Sequence, residues 1–171
     1  MLAASENPAV IRDGTAEDLP FLVAMLSEAA FWRPGAPRPG VEDALADHHV
    51  ARYIERWGRP GDRSVVAEDE TGRPIGAAWY HIFGAAEPGY GFVDEGIPEL
   101  TVAVAEPWRG RGTGTRLLEA LVDRARADGF PGISLSVEED NPALRLYTRL
   151  GSGAVSRSEG AVTMLLRLSR E

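Results

Sequence analysis

The segment 100–128 joins an apolar strand, a glycine-rich turn and an amphipathic helix without interruption. Apolar residues at 100–105 predict a strand, and apolar residues at helical spacing predict a helix from about 113 to 128. A second apolar run at 133–137 predicts another strand after that helix. Two strands connected through a helix lie parallel in one sheet, because the crossover returns the chain to the end where the first strand began. The segment therefore limits the chain to folds that contain a parallel strand pair.

The turn between this strand and this helix has the composition of an anion-binding loop. Arg109 and Arg111 stand among three glycines, which occupy positions 110, 112 and 114. Glycine lets the backbone approach a ligand closely, and a helix N-terminus offers unpaired N–H groups and the positive end of the helix dipole. The loop lacks the lysine of a Walker P-loop and the Gly-x-Gly-x-x-Gly spacing of a dinucleotide fingerprint. We therefore expect a phosphate-bearing ligand of another kind.

The remaining patterns predict a single-domain α/β (α+β) protein with a mixed central sheet of about six to seven strands and flanking helices. A hairpin at 64–83 and a long loop rich in glycine, proline and acidic residues at 84–98 precede the parallel unit. Further strands are expected at 10–12, 154–157 and 162–168, and further helices at 15–30, at 41–57 and from 141 to 150.

The charge and composition exclude several classes of partner. The chain has 18 basic and 26 acidic residues, for a net charge of −8, which argues against general binding to nucleic acid. It has no apolar run of about 20 residues and no signal-peptide pattern. It has no cysteine, and no cluster shows metal-ligand spacing. We expect a cytoplasmic protein that needs no metal and binds neither nucleic acid nor a membrane.

Two motifs resemble the GNAT superfamily of N-acetyltransferases. The pattern Arg109-x-x-Gly112-x-Gly114 is similar to the acyl-CoA signature of that family, and the segment 141–151 is similar to its Asn-x-x-Ala-x-x-x-Tyr-x-x-x-Gly motif. The resemblance implies one GNAT-like domain in which the two central parallel strands splay apart. It implies a flexible tail at 1–8, an acceptor side at 9–98, an acetyl-CoA-binding core at 99–151 and C-terminal strands at 152–171.

The resemblance also implies the residues that hold the acyl donor, acetyl-CoA. The backbone N–H groups of the glycine loop would bind the pyrophosphate, and the strand 100–105 would pair with the pantetheine arm and polarise the thioester carbonyl. Asn141 would cap the following helix and contact the same arm. The full set of predicted donor-binding residues is Val102, Ala103, Val104, Arg109, Gly110, Arg111, Gly112, Thr113, Gly114, Thr115 and Asn141.

Acetyl transfer to an amine also requires a base and an acid. An alkylammonium group has a pKa of about 10 and must lose a proton before it attacks. Glu99, at the entrance of the central strand, is the candidate base, either directly or through water, and His81 is an alternative. The resemblance assigns Tyr147 as the acid that protonates the thiolate of coenzyme A.

The acceptor side is less defined by the sequence. Aromatic side chains suit a cationic amine, and four residues are candidates to line the acceptor pocket: Trp32, Tyr53, Trp79 and His81. The predicted activity is transfer of acetyl to a small-molecule or peptide amine. A weakly catalytic acyl-CoA sensor, or a transferase for another acyl group or an O-acceptor, stays open. A homodimer also stays open, through edge pairing of the strand at 162–168.

Overall fold

The structure of the protein is a computed structural model that describes residues 8–37 and 39–168. All but the last residue of the tail predicted at 1–8 lies outside the described residues. One sheet of seven strands runs through the fold in the order β1-β2-β3-β4-β5-β7-β6. Its strands are β1 Val10–Asp13, β2 Arg63–Glu68, β3 Pro74–His81, β4 Glu99–Val104, β5 Gly132–Glu138, β6 Gly153–Ser158 and β7 Ala161–Arg167.

The sheet is mixed, as the sequence predicts. Only β4 and β5 run parallel, and the other neighbouring strands are antiparallel. The hairpin of β2 and β3 and the parallel pair across the glycine loop are both confirmed. The helices are α1 Leu19–Ala30, α2 Val41–Ala46, α3 His48–Ala51, α4 Thr113–Ala127 and α5 Ala143–Arg149.

Each face of the sheet carries its own hydrophobic core. Helix α4 covers one face with Leu117 and Leu121, which are fully buried against β2, β3 and β5 side chains. On the other face, Leu22 of α1 packs with Trp79 and with the segment that follows α3. The sheet therefore separates the helix that begins at the glycine loop from the elements of the N-terminal half.

The prediction of one helix over 41–57 is wrong. The chain forms α2 and α3, separated by Asp47, and then continues as turns. Asp47 has an extended backbone, and its carboxylate accepts the N–H of His49, so it ends one helix and caps the next. Arg56 adopts a φ of +56°, which a right-handed helix does not allow.

The expectation that segment 162–168 forms a free edge is also wrong. Strand β7 lies inside the sheet between β5 and β6, and the edge strand is β6, which is exposed along its whole length. Glu159 and Gly160 both have positive φ and form the tight turn that folds β7 back onto β6. Val162 and Met164 of β7 are buried, and the strand pairs with β5 on one side and with β6 on the other.

The two parallel strands separate after their first residues, which confirms the predicted splay. The strands β4 and β5 are paired at Glu99 and Ser134, where the N–H of Ser134 donates to the carbonyl of Pro98 at 2.9 Å. No further register between them is found among the described residues. Residues 101–104 are half-buried, although β4 is the central strand of the sheet. The fold therefore has an opening between β4 and β5, closed at Glu99 and open toward the glycine loop.

Candidate active site

Alternate backbone groups of β4 face this opening. The N–H of Ala105 donates to the carbonyl of Ile75 at 2.8 Å, so odd-numbered residues direct their backbone groups toward β3. The N–H and C=O groups of Val102 and Val104 consequently point toward β5, into the opening. The backbone of Ala103 points the other way and is used in the sheet. Of the three β4 residues predicted to bind the acyl donor, two direct their backbone groups into the opening.

The glycine loop stands at the open end of this gap. Gly110 and Gly112 have φ values of +75° and +81°, a conformation that favours glycine. Helix α4 begins directly afterwards at Thr113, and the N–H groups of its first turn have no acceptor inside the helix. Together with the helix dipole, these groups are suited to an anionic ligand. The residues therefore fit a diphosphate ligand.

The two arginines of the loop have different environments. The Nε of Arg109 donates to the carbonyl of Val104 at 2.9 Å, and its Nη2 donates to Glu28 of α1 at 2.8 Å. The guanidinium of Arg111 lies 5.0 Å from the ring centre of Trp108, and its side chain is exposed. Arg109 therefore braces the loop against β4 and α1, whereas Arg111 can reach an anion in the loop.

The end of α1 connects the two sides of the opening. Glu28 pairs with Arg109 of the glycine loop. Arg33, just beyond the helix, pairs with Glu138 and Asp140 at the end of β5. The Arg33 contacts measure 2.6 Å to Glu138 and 2.5 Å to Asp140. The two Arg33 pairs are exposed and the Arg109–Glu28 pair is partly exposed, so each adds little stability, but all three attach to the same helix end.

The second motif forms α5, which lies beside the first turn of α4. The Oδ1 of Asn141 accepts the N–H of Ala143 at 2.9 Å, one residue ahead of Pro142, which occupies the N-cap position of α5. A Cβ placed on Gly114 would lie 3.7 Å from Leu146, so the two helices are in contact near the glycine loop. Tyr147 is buried, and burial raises the pKa of its phenol, so it holds its proton at neutral pH.

Glu99 is a buried carboxylate at the closed end of the opening. Its exposure is 3%. Burial raises the pKa of Glu99 to about 7, while hydrogen bonds from Tyr53 and from the N–H of Gly91 and the charge of Arg52 act in the opposite direction. Gly91 donates at 2.8 Å. A carboxylate with a pKa near neutrality is suited to accept a proton from a substrate and to release it again.

Two of the predicted acceptor residues belong to the interior. Trp79 is fully buried, and its indole N–H donates to the carbonyl of Tyr53 at 3.3 Å. His81 has an exposure of 2%, its Nδ1 lies 2.7 Å from Asp62, and its Nε2 contacts Arg59. With Arg59 donating, Nε2 accepts and Nδ1–H donates to Asp62. Both ring nitrogens are engaged, which favours Glu99 over His81 as the base.

The other two predicted residues lie apart from each other. Tyr53 is brought next to Glu99 and donates its hydroxyl to that carboxylate, and burial raises the pKa of Tyr53 above its usual range. Trp32 is half-buried beyond the end of α1, with the guanidinium of Arg33 4.8 Å from its ring centre. Tyr53 thus belongs to the site around Glu99, and Trp32 lies beside Arg33, which pairs with the end of β5.

Sequence reasoning missed the residues that the long loop and the turns after α3 bring to Glu99. Gly91 lies in a loop without periodicity, and Arg52 falls where a continuous helix was expected. The cluster Pro88-Gly89-Tyr90-Gly91 is the one available signal, because two glycines around an aromatic residue indicate a close backbone approach.

Neither a metal centre nor a membrane span is found in the part of the chain that the structure describes. Residues 8–37 and 39–168 contain no group of three or more histidine, aspartate or glutamate side chains placed to hold a metal ion. Over the same residues, each helix is too short or too polar to cross a bilayer.

Comparison with known proteins agrees with this geometry. The sequence model of the acetyltransferase (GNAT) family matches residues 26–152. L-methionine sulfoximine/L-methionine sulfone acetyltransferase of Pseudomonas paraeruginosa is 33% identical and covers 84% of this chain and 79% of its own. Mycothiol acetyltransferase of Jonesia denitrificans is 32% identical over 82% of this chain and 41% of its own. The phosphinothricin acetyltransferase structure of Sinorhizobium meliloti, in complex with AcCoA, has a TM-score of 0.66 at 24% identity and covers 94% of this chain and 89% of that one.

Proposed function

Since this chain belongs to the acetyltransferase (GNAT) family, we propose that it transfers the acetyl group of acetyl-CoA to the primary amine of a small molecule, with Glu99 as base and Tyr147 as acid. The observation that carries the proposal is the opening between β4 and β5. It has a glycine loop suited to an anionic ligand at one end and a buried carboxylate of raised pKa at the other. An acyltransferase that binds donor and acceptor together needs both.

The chain's own groups define how acetyl-CoA would be held. The backbone N–H groups from Gly110 to Thr115 would take the diphosphate, with Arg111 adding a charge-assisted contact. The even-numbered backbone groups of β4 would pair with the amide groups of the pantetheine arm. When bound, acetyl-CoA supplies an activated acyl carbon, and the N–H of Val102 or Val104 can donate to its carbonyl oxygen as negative charge develops.

Glu99 and Tyr147 then account for the protons. Glu99 accepts the proton that the acceptor ammonium must lose before its nitrogen forms the new C–N bond. As the C–S bond breaks, Tyr147 donates its phenolic proton to sulfur. Tyr147 is protonated at neutral pH, so the phenol has a proton to donate when the thiolate leaves, although burial raises its pKa and makes it a weaker acid.

The relatives support a small-molecule amine as the acceptor. The Pseudomonas protein is named for methionine sulfoximine and methionine sulfone, and a relative from Nocardia farcinica is named for L-2,4-diaminobutyric acid. Both names describe amines of low molecular mass.

A coupled thiol-release assay tests this function. The full chain is incubated with acetyl-CoA and a library of polyamines, amino acids, aminoglycosides and peptide N-termini, and free thiol is measured. We expect release that depends on the amine, and an acetylated product by mass spectrometry. Propionyl-CoA and succinyl-CoA serve as alternative donors. Tight acetyl-CoA binding without release for any amine would contradict the proposed transfer and favour a binding module.

A further inference from the structure

Residues 88–91 of the long loop cover Glu99 and contact three side chains beneath them. The carbonyl of Pro88 accepts from the Nη1 of Arg52 at 2.6 Å, and the N–H of Tyr90 donates to the hydroxyl of Tyr53 at 2.8 Å. Gly91 donates to Glu99, as described above. The segment therefore places a carbonyl group against the cationic side chain of Arg52 and an N–H group against the carboxylate of Glu99. These two side chains lie near each other.

This segment occupies the closed end of the opening. A Cβ placed on Gly91 would lie 2.5 Å from the carbonyl carbon of Leu135 and 2.7 Å from the N of Ser136, so the loop backbone rests on the backbone of β5. If Glu99 takes a proton directly from an acceptor amine, without an intervening water, that amine must lie against Glu99 beside the opening. The N–H of Gly91 lies there now. The loop backbone and the amine cannot both occupy this position.

The polar groups under the segment are incompletely satisfied. Among the described residues, two buried side-chain nitrogen or oxygen atoms have no hydrogen-bond partner, and these are the Nε of Arg52 and the Oγ of Ser134. Arg52 contacts the segment directly, and Ser134 is the register partner of Glu99. A buried polar group without a partner costs free energy. A ligand that replaced residues 88–91 and supplied a partner to Arg52 would recover part of that cost.

We propose that the acceptor is an amine that also carries a carboxylate, and that it binds where residues 88–91 lie, with its ammonium at Glu99 and its carboxylate at Arg52. In this arrangement the segment occupies the positions of the acceptor's polar groups. The carbonyl of Pro88 lies where the carboxylate of the acceptor would bind Arg52, and the N–H of Gly91 lies where its ammonium would bind Glu99. The inference rests on the proposed function and adds the class of acceptor, which is an amino acid or a close analogue.

The setting of Arg52 fits a carboxylate better than a neutral group. Its guanidinium lies 5.6 Å from the ring centre of Tyr53, which is outside the segment, so an aromatic side chain stays beside it when residues 88–91 are displaced. Its one hydrogen bond among the described residues goes to a neutral carbonyl, at Pro88. A carboxylate would replace that contact with a charge-assisted, two-point one, which is the geometry that arginine provides.

The test compares L-amino acids with their carboxamides, which keep the amine and lose only the negative charge. Thiol release from acetyl-CoA is measured for each pair, and kcat/KM is expected to be at least about tenfold higher for the acid. Equal kcat/KM for the acid and its amide would overturn the inference while leaving acetyl transfer established. Absence of release for every amine would instead overturn the proposed function, and this inference with it.

Variants of Arg52 provide the second arm. Arg52→Gln is expected to raise KM for the preferred acid by about tenfold and to leave the KM of the amide little changed, and Arg52→Lys is expected to recover part of the loss. Because the charge of Arg52 lowers the pKa of Glu99, the variants are compared at a pH above the inflection of each, where Glu99 is ionised in all of them. Arg56→Gln is the matched control, an exposed arginine four residues along the chain. An equal rise of KM for acid and amide would show that Arg52 only supports the loop and would refute its assignment.

Hydrogen exchange gives a readout that does not depend on turnover. In the presence of coenzyme A, the preferred acid is expected to increase exchange of the amides in 88–91, because the N–H of Gly91 loses its partner Glu99. Unchanged or greater protection of these amides at saturating acid would show that the segment stays in place, which contradicts the inference.

Discussion

Glu99→Gln tests both the stability of the fold and the proposed chemistry. The substitution removes one ionisable group and keeps the volume of the side chain. The ordinary pKa of a glutamate is 4.5, and burial raises the pKa of Glu99 to about 7. The folded chain therefore binds this proton more tightly than the unfolded chain does. Between pH 4.5 and 7 the unfolded state loses the proton while the folded state retains it, so stability falls as the pH rises through this window.

The size of this effect follows from the pKa difference. A change from 4.5 to about 7 corresponds to about 3 kcal/mol, as an upper value for a group that is 3% exposed. Glutamine keeps a carbonyl oxygen that can accept from Gly91, and it does not ionise. Glu99→Gln is therefore expected to match the parent chain in stability near pH 4.5 and to exceed it by up to about 3 kcal/mol at pH 8.

The same variant is expected to lose activity. Removal of a general base costs about 10²–10⁴ in rate, so kcat/KM should fall in that range, while the affinity for acetyl-CoA stays unchanged. In the parent chain, kcat/KM should rise with pH through an inflection near 7, as Glu99 loses its proton. The variant should lack this inflection.

Urea denaturation at the two pH values and thiol release across the pH range measure both effects. Glu87→Gln is the matched control, since Glu87 is an exposed carboxylate of the same loop and its substitution should change neither measurement. A stability difference that is the same at pH 4.5 and 8 would refute the buried, protonatable state of Glu99. Turnover within about threefold of the parent would refute its role as base.

Three further substitutions test other parts of the site. Tyr147→Phe should lower thiol release while acetyl-CoA binding, measured by calorimetry, is retained; unchanged turnover would remove its role as acid. Gly91→Ala places a methyl group 2.5 Å from the carbonyl carbon of Leu135, so it should lower the melting temperature and increase exchange of residues 88–91, and a native melting curve would contradict the close approach. Gly112→Ala forces a φ of +81° on a residue with a side chain, which costs about 1 kcal/mol and should weaken acetyl-CoA binding. Gly153→Ala, in an open strand position, is its control and should leave binding unchanged.

The sequence predicts the parallel unit well, because its signals are local. Glycines at 110 and 112 are required by positive φ, and the apolar stripe of α4 is set by its own spacing. The splay follows from the family resemblance, and the single register pair of β4 and β5 confirms it. The glycine loop and the start of α4 could therefore be placed from the sequence alone.

The surroundings of Glu99 are set by tertiary contacts that no local pattern reports. Trp79 and His81 alternate on a strand, which predicts a shared face but not whether that face is open or covered. It is covered by α1 and the turns after α3, so both side chains are buried. Gly91 reaches Glu99 from eight residues earlier, through an irregular loop, and Arg52 approaches from the turns after α3, so only folding brings these residues together.

Three ion pairs at the end of α1 link the glycine loop to the end of β5. Glu28 holds the loop that would bind the donor, and Arg33 holds the end of β5 across the opening, so a shift of α1 alters the spacing of both strands at once. Any acceptor that moves this helix changes the affinity for the donor, and thermodynamic linkage makes the change reciprocal. The three contacts are ionic and at least partly exposed, so the cooperativity between the two substrates is expected to weaken as salt concentration rises.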